Sequence, residues 1–291
     1  MALEKALESG LKDKGQIEHF LDSELSFEVS GSYGCNTSCV EIQGGDEIVI
    51  CDAGSGIRDL GNDLMSRELT KPLNINILMS HLHWDHLQGF PFFVPAYIPG
   101  NTIRIWGCHD EMEKAFNMQM QPPTFPITME DMKANISFCH LNPTDSHHIA
   151  GFEVSIIEQR HPGTSYGYSF RKEGRKIVYS TDSEHTGDAD DEDYPFISFF
   201  KGADVLIFDA QYNLADHVHI KQNWGHSSNL VGIELAVRSG VKRLCLFHNE
   251  HTLDDHQLEK FLQDSRRYLE IYSEHDTLKV LIAYDGLIIE V

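Results

Sequence analysis

Apolar residues follow two different spacings along this chain, and the spacing changes from one segment to the next. Residues 1–22 have helical spacing, which predicts an amphipathic N-terminal helix extension. Leu3, Leu7 and Leu11 fall on one face of that helix. Helical spacing returns in "GSGIRDLGNDLMSREL" and at about residues 110–120, 228–239 and 254–268.

Short apolar runs between these helices predict strands, because they are rich in β-branched residues and bounded by turn residues. The first series consists of "LSFEVSG", "TSCVEIQ", "DEIVICDAG", "LNINILMS" and "TIRIWG". The second consists of "FEVSIIEQRH", "GYSF", "RKIVYSTD", "ADVLIFDAQY", "VKRLCLFH" and "LKVLIAYDGLIIEV". Two strand-rich series, each with helices, predict an α/β fold of two packed sheets covered by helices. We expect this αββα sandwich to form a single domain over residues 23–291.

Length and composition fit one large α/β domain or two ordinary ones. The 291 residues are 41% hydrophobic, which suffices for a sizeable core. No run approaches the ~18–20 apolar residues of a membrane span, and the first residues lack the apolar segment of a signal peptide. We therefore expect a cytoplasmic protein without a membrane partner. The six cysteines show no metal-binding spacing, and disulfides are not expected in a reducing compartment.

The formal net charge is −22. Such an acidic surface repels polyanions, so a long nucleic-acid partner is not expected. The chain also carries 17 histidines, many for its length. Because histidine is the commonest metal ligand, this excess directs attention to places where histidines cluster.

One cluster lies in "SHLHWDHLQGFPFF", where a predicted strand ends. His81 and His83 are two positions apart in an extended segment, so their rings leave the same face. Asp85 and His86 follow where the chain turns and can point toward a neighbouring position. The cluster therefore offers two pairs of metal-binding side chains, enough to begin two adjacent sites.

Three further strands end in a residue that can bind a metal. His161 ends "SIIEQRH", Asp182 ends "KIVYSTD", and His248 ends "RLCLFH". A lone strand-end histidine or aspartate is usually a cap or turn residue. Three of them at equivalent positions, in addition to the first cluster, indicate a shared site at one edge of the sheets.

"HLHWDH" resembles the HxHxDH signature of the metallo-β-lactamase superfamily, and the three downstream residues match that family's later ligands in order and rough spacing. The resemblance implies the αββα fold and a site for two divalent metal ions that share one ligand. The implied ligands are His81, His83 and His161 for the first ion, Asp85, His86 and His248 for the second, and Asp182 for both. The ions could be zinc, manganese or iron, because such ligand sets accept all three.

The branch most similar to this chain contains the cyclic-nucleotide phosphodiesterase-like and related small-phosphodiester hydrolases. "GCNTSCVEI", "CDAGSGIRDLG", "YSTDSEH", "DAQY" and "WGHSS" carry that likeness. True lactamases depart from HxHxDH at its last histidine, flavodiiron proteins carry an acidic residue at the position of His83, and glyoxalase II needs a basic binding region. The tRNase Z branch shares the ligands but binds tRNA through a basic arm that is not visible in this sequence.

The resemblance implies a binuclear metal-dependent phosphodiesterase acting on a small phosphodiester such as a cyclic nucleotide. The expected catalytic residues are Asp85 and His226. His226, in "WGHSS", resembles the tRNase Z-type histidine that protonates the leaving oxygen. Ser227 and Ser228, before a predicted helix, could receive a phosphate. Asp209 is expected to orient a ligand histidine.

The alternative is a non-haem diiron protein that binds O₂ as a signalling or chemotaxis-type sensor on the same fold. The sequence "FHNEH" favours it, because Asn249 and His251 depart from the family's usual residues after the last ligand. Altered surroundings of His248 would change its basicity and redox behaviour. A homodimer and, for a sensor, a signalling-protein partner are left open.

Overall fold

Strands and helices alternate along the chain much as the apolar spacing predicts. The computed structural model of the protein describes residues 9–11, 13–67, 71–213, 223–273 and 277–291. The helices in that part are α1 Lys14–Ser23, α2 Phe27–Ser30, α3 Gly56–Ser66, α4 Trp84–Leu87, α5 Met112–Gln119, α6 Pro195–Phe200, α7 Asn229–Arg238 and α8 Asp255–Tyr272. Short 3₁₀ helices are Phe90–Phe92, Val94–Tyr97, Met129–Asp131 and Gly187–Asp190.

The strands of the described residues form two sheets. They are β1 Val40–Ile42, β2 Ile48–Cys51, β3 Asn74–Leu78, β4 Thr102–Gly107, β5 Asn135–His140, β6 His147–Ile149, β7 Phe152–Gln159, β8 Ser165–Lys172, β9 Arg175–Ser180, β10 Val205–Asp209, β11 Arg243–Phe247 and β12 Lys279–Ile282. The first sheet has the order β1-β2-β3-β4-β5, and the second has the order β12-β11-β10-β9-β8-β7-β6.

Each sheet is mixed, with its parallel part connected through helices. In the first sheet β2 to β5 are parallel and β1 is antiparallel to β2. In the second sheet β9 to β12 are parallel, whereas β6 to β9 form an antiparallel meander. Parallel strands point their carboxyl ends toward the same edge, so residues that follow β3, β9, β10 and β11 can meet there.

Three apolar clusters correspond to the layers of a sandwich. The middle cluster joins the facing sides of both sheets and includes Val49, Val154 and Tyr168. A second cluster packs α3, α5 and the 3₁₀ helices against the first sheet. A third packs α6, α7 and α8 against the second sheet. Helix, sheet, sheet and helix therefore stack in the order that the sequence predicts.

Local spacing explains how α3 meets its sheet. Ile57, Gly61 and Leu64 are buried and lie three or four positions apart, the repeat that places residues on one helical face. The ring of Phe93 packs so closely against Gly61 that a side chain would not fit at this position. A Cβ at Gly61 would be 2.8 Å from that ring.

The N-terminal prediction needs correction. Ser9 and Gly10 lie in a turn, and Gly10 has the left-handed φ of +68°. Helix α1 begins only at Lys14, where the Asp13 side chain accepts a hydrogen bond from the Gln16 N–H. Residues 9–11 are therefore not helical, and the prediction of one helix over residues 1–22 is wrong there, since Gly10 adopts a left-handed conformation that a helix does not contain. Residues 1–8 and 12 lie outside the described residues.

"LSFEVSG" is helical rather than extended, so the strand prediction for it is wrong. Helix α2 forms because Phe27 packs its ring against Tyr33 and Tyr284, at centroid distances of 4.9 and 4.6 Å. This tertiary packing outweighs the strand propensity of a short segment. The spacing also missed β5 and β6, which are both terminal strands of their sheets. Terminal strands carry more polar residues, so their apolar repeat is weak.

Among the described residues, no helix combines the length and apolar character needed to cross a membrane.

Candidate metal centre

The predicted ligands come together where strands of both sheets end. His81 and His83 follow β3, and His161 follows β7. Asp182 follows β9, and His248 follows β11. All five, with Asp85 and His86 from α4, converge at one edge of the sandwich.

Three residues at this edge have an uncommon backbone conformation, which several residues elsewhere in the described chain share. Asp182 has φ of 51° and His248 has φ of 60°, both in the left-handed region that glycine favours. Asp52, which follows β2 at the same edge, has φ of 60°. Such conformations cost about 1–3 kcal/mol each and cluster at functional sites. Each turns a polar side chain away from its strand direction.

Asp182 lies between two groups of side chains and turns one carboxylate oxygen toward each. Its Oδ2 is 3.6 Å from His81 Nε2 and 3.8 Å from His161 Nε2. Its Oδ1 is 3.2 Å from His86 Nε2 and 3.6 Å from His248 Nε2. A carboxylate with one oxygen facing each group could serve as a ligand shared by two ions.

Among the described residues, two of five groups of closely spaced donor atoms contain the residues that the family resemblance implies for the two ions, and two others include His226. The donor atoms of His81, His83 and His161 all lie within 4.8 Å of one another. A second group with the same property contains Asp85, His86 and His248. Within it, Asp85 Oδ2 is 3.2 Å from His248 Nε2 and 3.4 Å from His86 Nε2.

The chemistry of these donors fits divalent cations. His81 Nε2 and His86 Nε2 are buried, and neither has an aligned hydrogen-bond partner in the described part of the chain. A buried nitrogen without a partner costs roughly 1–3 kcal/mol, and a metal ion would satisfy it. Imidazole nitrogens with carboxylate oxygens are donors that suit zinc, manganese and iron.

The pKa shifts of His86, His248 and Asp182 also favour a bound cation. Burial by itself lowers the pKa of His86 and His248. The carboxylates around them together outweigh burial, Asp182 with Asp52 for His86 and Asp182 with Asp85 and Asp209 for His248, and raise both pKa values, that of His248 to about 9. Burial would raise the pKa of Asp182, but His248 and His86 hold it well below the usual value. The carboxylate thus binds positive charge held by its neighbours, a charge that a divalent cation would supply.

Comparison with known proteins decides the family. The family model described as the Beta-lactamase superfamily domain matches residues 47–249. The chain belongs to the metallo-β-lactamase superfamily. A ribonuclease Z of Thermoplasma volcanium is 30% identical over 285 residues, covering 82% of this chain and 90% of that protein.

Solved structures of the superfamily share the fold. The metallo-β-lactamase-fold protein YhfI of Bacillus subtilis aligns with a TM-score of 0.63 at 21% identity, covering 86% of this chain and 90% of that one. The short form of human tRNase Z aligns with a TM-score of 0.59 at 21% identity, covering 88% and 92%. The αββα prediction is confirmed, and the chain is a metallo-β-lactamase-fold hydrolase. None of these three relatives is named as an oxygen-binding protein, so the sensor alternative gains no support.

The buried carboxylate of Asp52 contacts His86, one of the candidate metal ligands. The sequence did not indicate this role. Asp52 Oδ2 is 2.8 Å from His86 Nδ1 and accepts hydrogen bonds from Tyr179 Oη and Ser80 Oγ, both at 2.7 Å. With Nδ1 bonded to Asp52, His86 keeps Nε2 for the cluster. Orienting contacts of this kind fix the tautomer of metal-binding histidines.

Asp209 contacts His226, the expected catalytic histidine, rather than one of the expected ligand histidines. His226 Nδ1 is 2.8 Å from Asp209 Oδ2, and the His226 ring stacks on that of His248 at a centroid distance of 5.0 Å. Burial lowers the pKa of His226, but Asp209 and then Asp182 outweigh burial and raise it. The structure therefore brings His226 to the metal-binding cluster, with Asp209 as the residue that orients it.

The hydroxyl groups of the two serines after His226 already make hydrogen bonds within the protein, so the expectation that they receive a phosphate is wrong. Ser227 Oγ donates to Ser183 O at 2.6 Å and accepts from His185 N–H at 3.1 Å. Ser228 caps α7, where its Oγ accepts from Val231 N–H. Both side chains are fully buried.

The unusual residues after His248 make their described side-chain contacts with groups other than its ring. The His251 side chain is 87% exposed and pairs with Glu250, and Asn249 Nδ2 donates to Ala283 O at 3.4 Å. The ring nitrogen His248 Nδ1 is instead 3.3 Å from Gln211 Nε2. With its amide turned so that Oε1 accepts from Nδ1–H, Gln211 would orient His248 and leave Nε2 for an ion, a role that the sequence did not indicate.

Proposed function

We propose that this protein is a binuclear metal-dependent phosphodiesterase that acts on a small phosphodiester such as a cyclic nucleotide. One observation carries the proposal: the two oxygens of the Asp182 carboxylate face two separate groups of donors. In this proposal His81, His83 and His161 hold one ion, Asp85, His86 and His248 hold the other, and Asp182 contacts both. Bound there, two divalent ions would supply Lewis acidity that polarises a phosphoryl oxygen and activates water.

The chain's own residues would manage the protons. Asp209 holds His226 Nδ1, so Nε2 is the nitrogen left to exchange a proton with the substrate. We assign His226 the protonation of the leaving oxygen, a role typically worth about 10²–10⁴-fold in rate. Asp85 is half-exposed, its side chain being 39% accessible, and it lies beside both His86 and His248. It is the carboxylate of the cluster that a water or substrate can reach, which supports its assignment as a catalytic residue.

The substrate class follows from charge and size. A formal charge of −22 repels a long polyanion more strongly than a single phosphodiester, because each added phosphate meets the same acidic field. A second candidate is cleavage of an RNA phosphodiester, which the relative named ribonuclease Z favours. Both reactions require the same centre and differ in what must bind around it.

The test compares substrates on one metal-loaded preparation. We expect manganese- or zinc-loaded protein to hydrolyse bis-p-nitrophenyl phosphate or a cyclic nucleotide and to leave a tRNA precursor intact. His226→Ala should lower kcat for the cyclic nucleotide, whose alkoxide leaving group needs a proton, by at least about 100-fold with unchanged metal content. His251→Ala, a histidine in the same loop as His248 but exposed to solvent, is the matched control and should retain activity.

Two results would redirect the proposal. Cleavage of the tRNA precursor with no small-substrate turnover would establish the second candidate. Full activity in His226→Ala would remove the role assigned to that residue.

A further inference from the structure

A buried glutamate beside the centre has both carboxylate oxygens committed to one backbone turn. Glu184 is 3% exposed and lies two residues after Asp182. Its Oε1 accepts from Asn223 N–H at 2.7 Å, and its Oε2 accepts from Gly225 N–H at 3.3 Å. No cation of the described residues forms a salt bridge with it. Its hydrogen bonds therefore fix the turn at residues 223–225.

That turn is pressed against the ring of His161. Asn223 and Gly225 both have left-handed φ angles, of 67° and 90°. A Cβ at Gly225 would lie 2.2 Å from His161 Nδ1, so the backbone can approach this closely only at glycine. The Gly225 carbonyl accepts the hydrogen bond of His161 Nδ1 at 2.9 Å.

The contact decides which nitrogen of His161 faces the centre. A proton on Nδ1, shared with the Gly225 carbonyl, leaves the lone pair on Nε2. That nitrogen lies 3.8 Å from Asp182 Oδ2 and 3.1 Å from His83 Nδ1. His226 follows Gly225 directly in the chain, so the same turn also sets the position of the His226 backbone.

We propose that Glu184 is a positioning residue that, through the turn at residues 223–225, holds His161 in its metal-binding tautomer and orientation. This inference rests on the proposed function, because it assigns His161 to one of the two ions. Glutamate suits the role chemically, since two N–H groups need two acceptors. A glutamine would present one acceptor and turn an NH₂ group toward the other N–H.

The experiment measures zinc affinity and the His161 tautomer rather than activity. In Glu184→Gln, chelator competition should show a roughly 10- to 100-fold weaker affinity for one of the two zinc ions, as expected when an orienting contact is lost. His161→Ala should weaken the same ion. In metal-free protein, ¹H–¹⁵N spectra of the histidine rings should show the Nδ1–H form of His161 in the wild type and its loss in Glu184→Gln.

Ser227→Ala is the matched control, because Ser227 also ties the segment after β9 to the segment before α7 without touching the Gly225 carbonyl. It should keep zinc affinity and the His161 signal. If Glu184→Gln fails to fold, Glu184→Asp, which keeps both acceptors on a shorter side chain, should show the same losses to a smaller degree.

The outcomes separate this inference from the proposed function. Unchanged zinc affinity and tautomer in Glu184→Gln, or equal losses in Ser227→Ala, would overturn the role of Glu184. A wild type that binds no zinc would instead overturn the proposed function, and the spectra of metal-free protein would still test the coupling of Glu184 to His161.

Discussion

The hydrogen bonds of the Asp52 carboxylate make it possible to measure how much this buried residue contributes to stability beside the candidate metal site. Asp52 is fully buried and accepts from Ser80 N–H and Ser80 Oγ, both at 2.7 Å, in addition to Tyr179 Oη and His86 Nδ1. Tyr179 reaches it across the middle of the sandwich. Burial, and then Asp52 itself, raises the pKa of Tyr179 well above its usual value, so the phenol stays protonated and donates.

A matched neutral contact lies next to it. Tyr168 is the cross-strand partner of Tyr179, is equally buried, and donates to the Met79 carbonyl at the same distance of 2.7 Å. A hydrogen bond to a charged group contributes about 1.5–3 kcal/mol, against about 0.5–1.5 kcal/mol for a neutral one. We therefore expect Tyr179→Phe to lower the free energy of unfolding by about 1 kcal/mol more than Tyr168→Phe.

Urea denaturation at neutral pH, with a chelator present, measures this difference without a contribution from bound metal. With metal present, Tyr179→Phe should also weaken zinc binding, because Asp52 orients His86. Equal losses of stability in the two variants would contradict the assignment of a charged, supporting carboxylate at Asp52.

Two further predictions concern groups around the centre. Burial lowers the pKa of His185 to about 4, so the unfolded chain, titrating near ~6.5, takes up this proton first and stability falls as pH drops from about 6.5 toward 4. His185→Gln lacks this titration, so urea curves should show the wild type losing about 2–3 kcal/mol more than the variant between pH 7 and pH 4.5; a parallel decline would contradict the burial of a neutral histidine. Gln211→Leu should weaken one zinc ion by roughly tenfold, because His248 loses the side chain that orients it. Chelator competition measures that change, and unaltered affinity would remove Gln211 from the site.

Three of the candidate ligands could be predicted because each one ends an apolar run. Strand ends at one sheet edge meet whatever the details of the turns, so the positions of His161, Asp182 and His248 follow from topology alone. The other four candidate ligands lie close together in "HLHWDH", where their spacing indicates metal binding. Periodicity likewise predicted the layered order of helices and sheets, since a buried strand and an amphipathic helix carry distinct repeats.

Three orienting residues, Asp52, Gln211 and Glu184, could not be predicted, because their roles depend on contacts between distant parts of the chain. Asp52 lies 34 residues from His86, Gln211 lies 37 from His248, and Glu184 lies 39 from Asn223. Each is a single polar residue after an apolar run, and such a residue is usually interpreted as part of a turn. The same limit explains α2, whose conformation depends on Phe27 packing against Tyr284 near the other end of the chain.

The most direct test of the proposed centre is metal content per chain, measured by inductively coupled plasma mass spectrometry after zinc loading and desalting. We expect two ions in the wild type, a loss from both sites in Asp182→Ala, and a loss mainly from one site in His161→Ala. A wild type that holds a single ion, or an Asp182→Ala variant that keeps two, would contradict the shared carboxylate on which the proposed function rests.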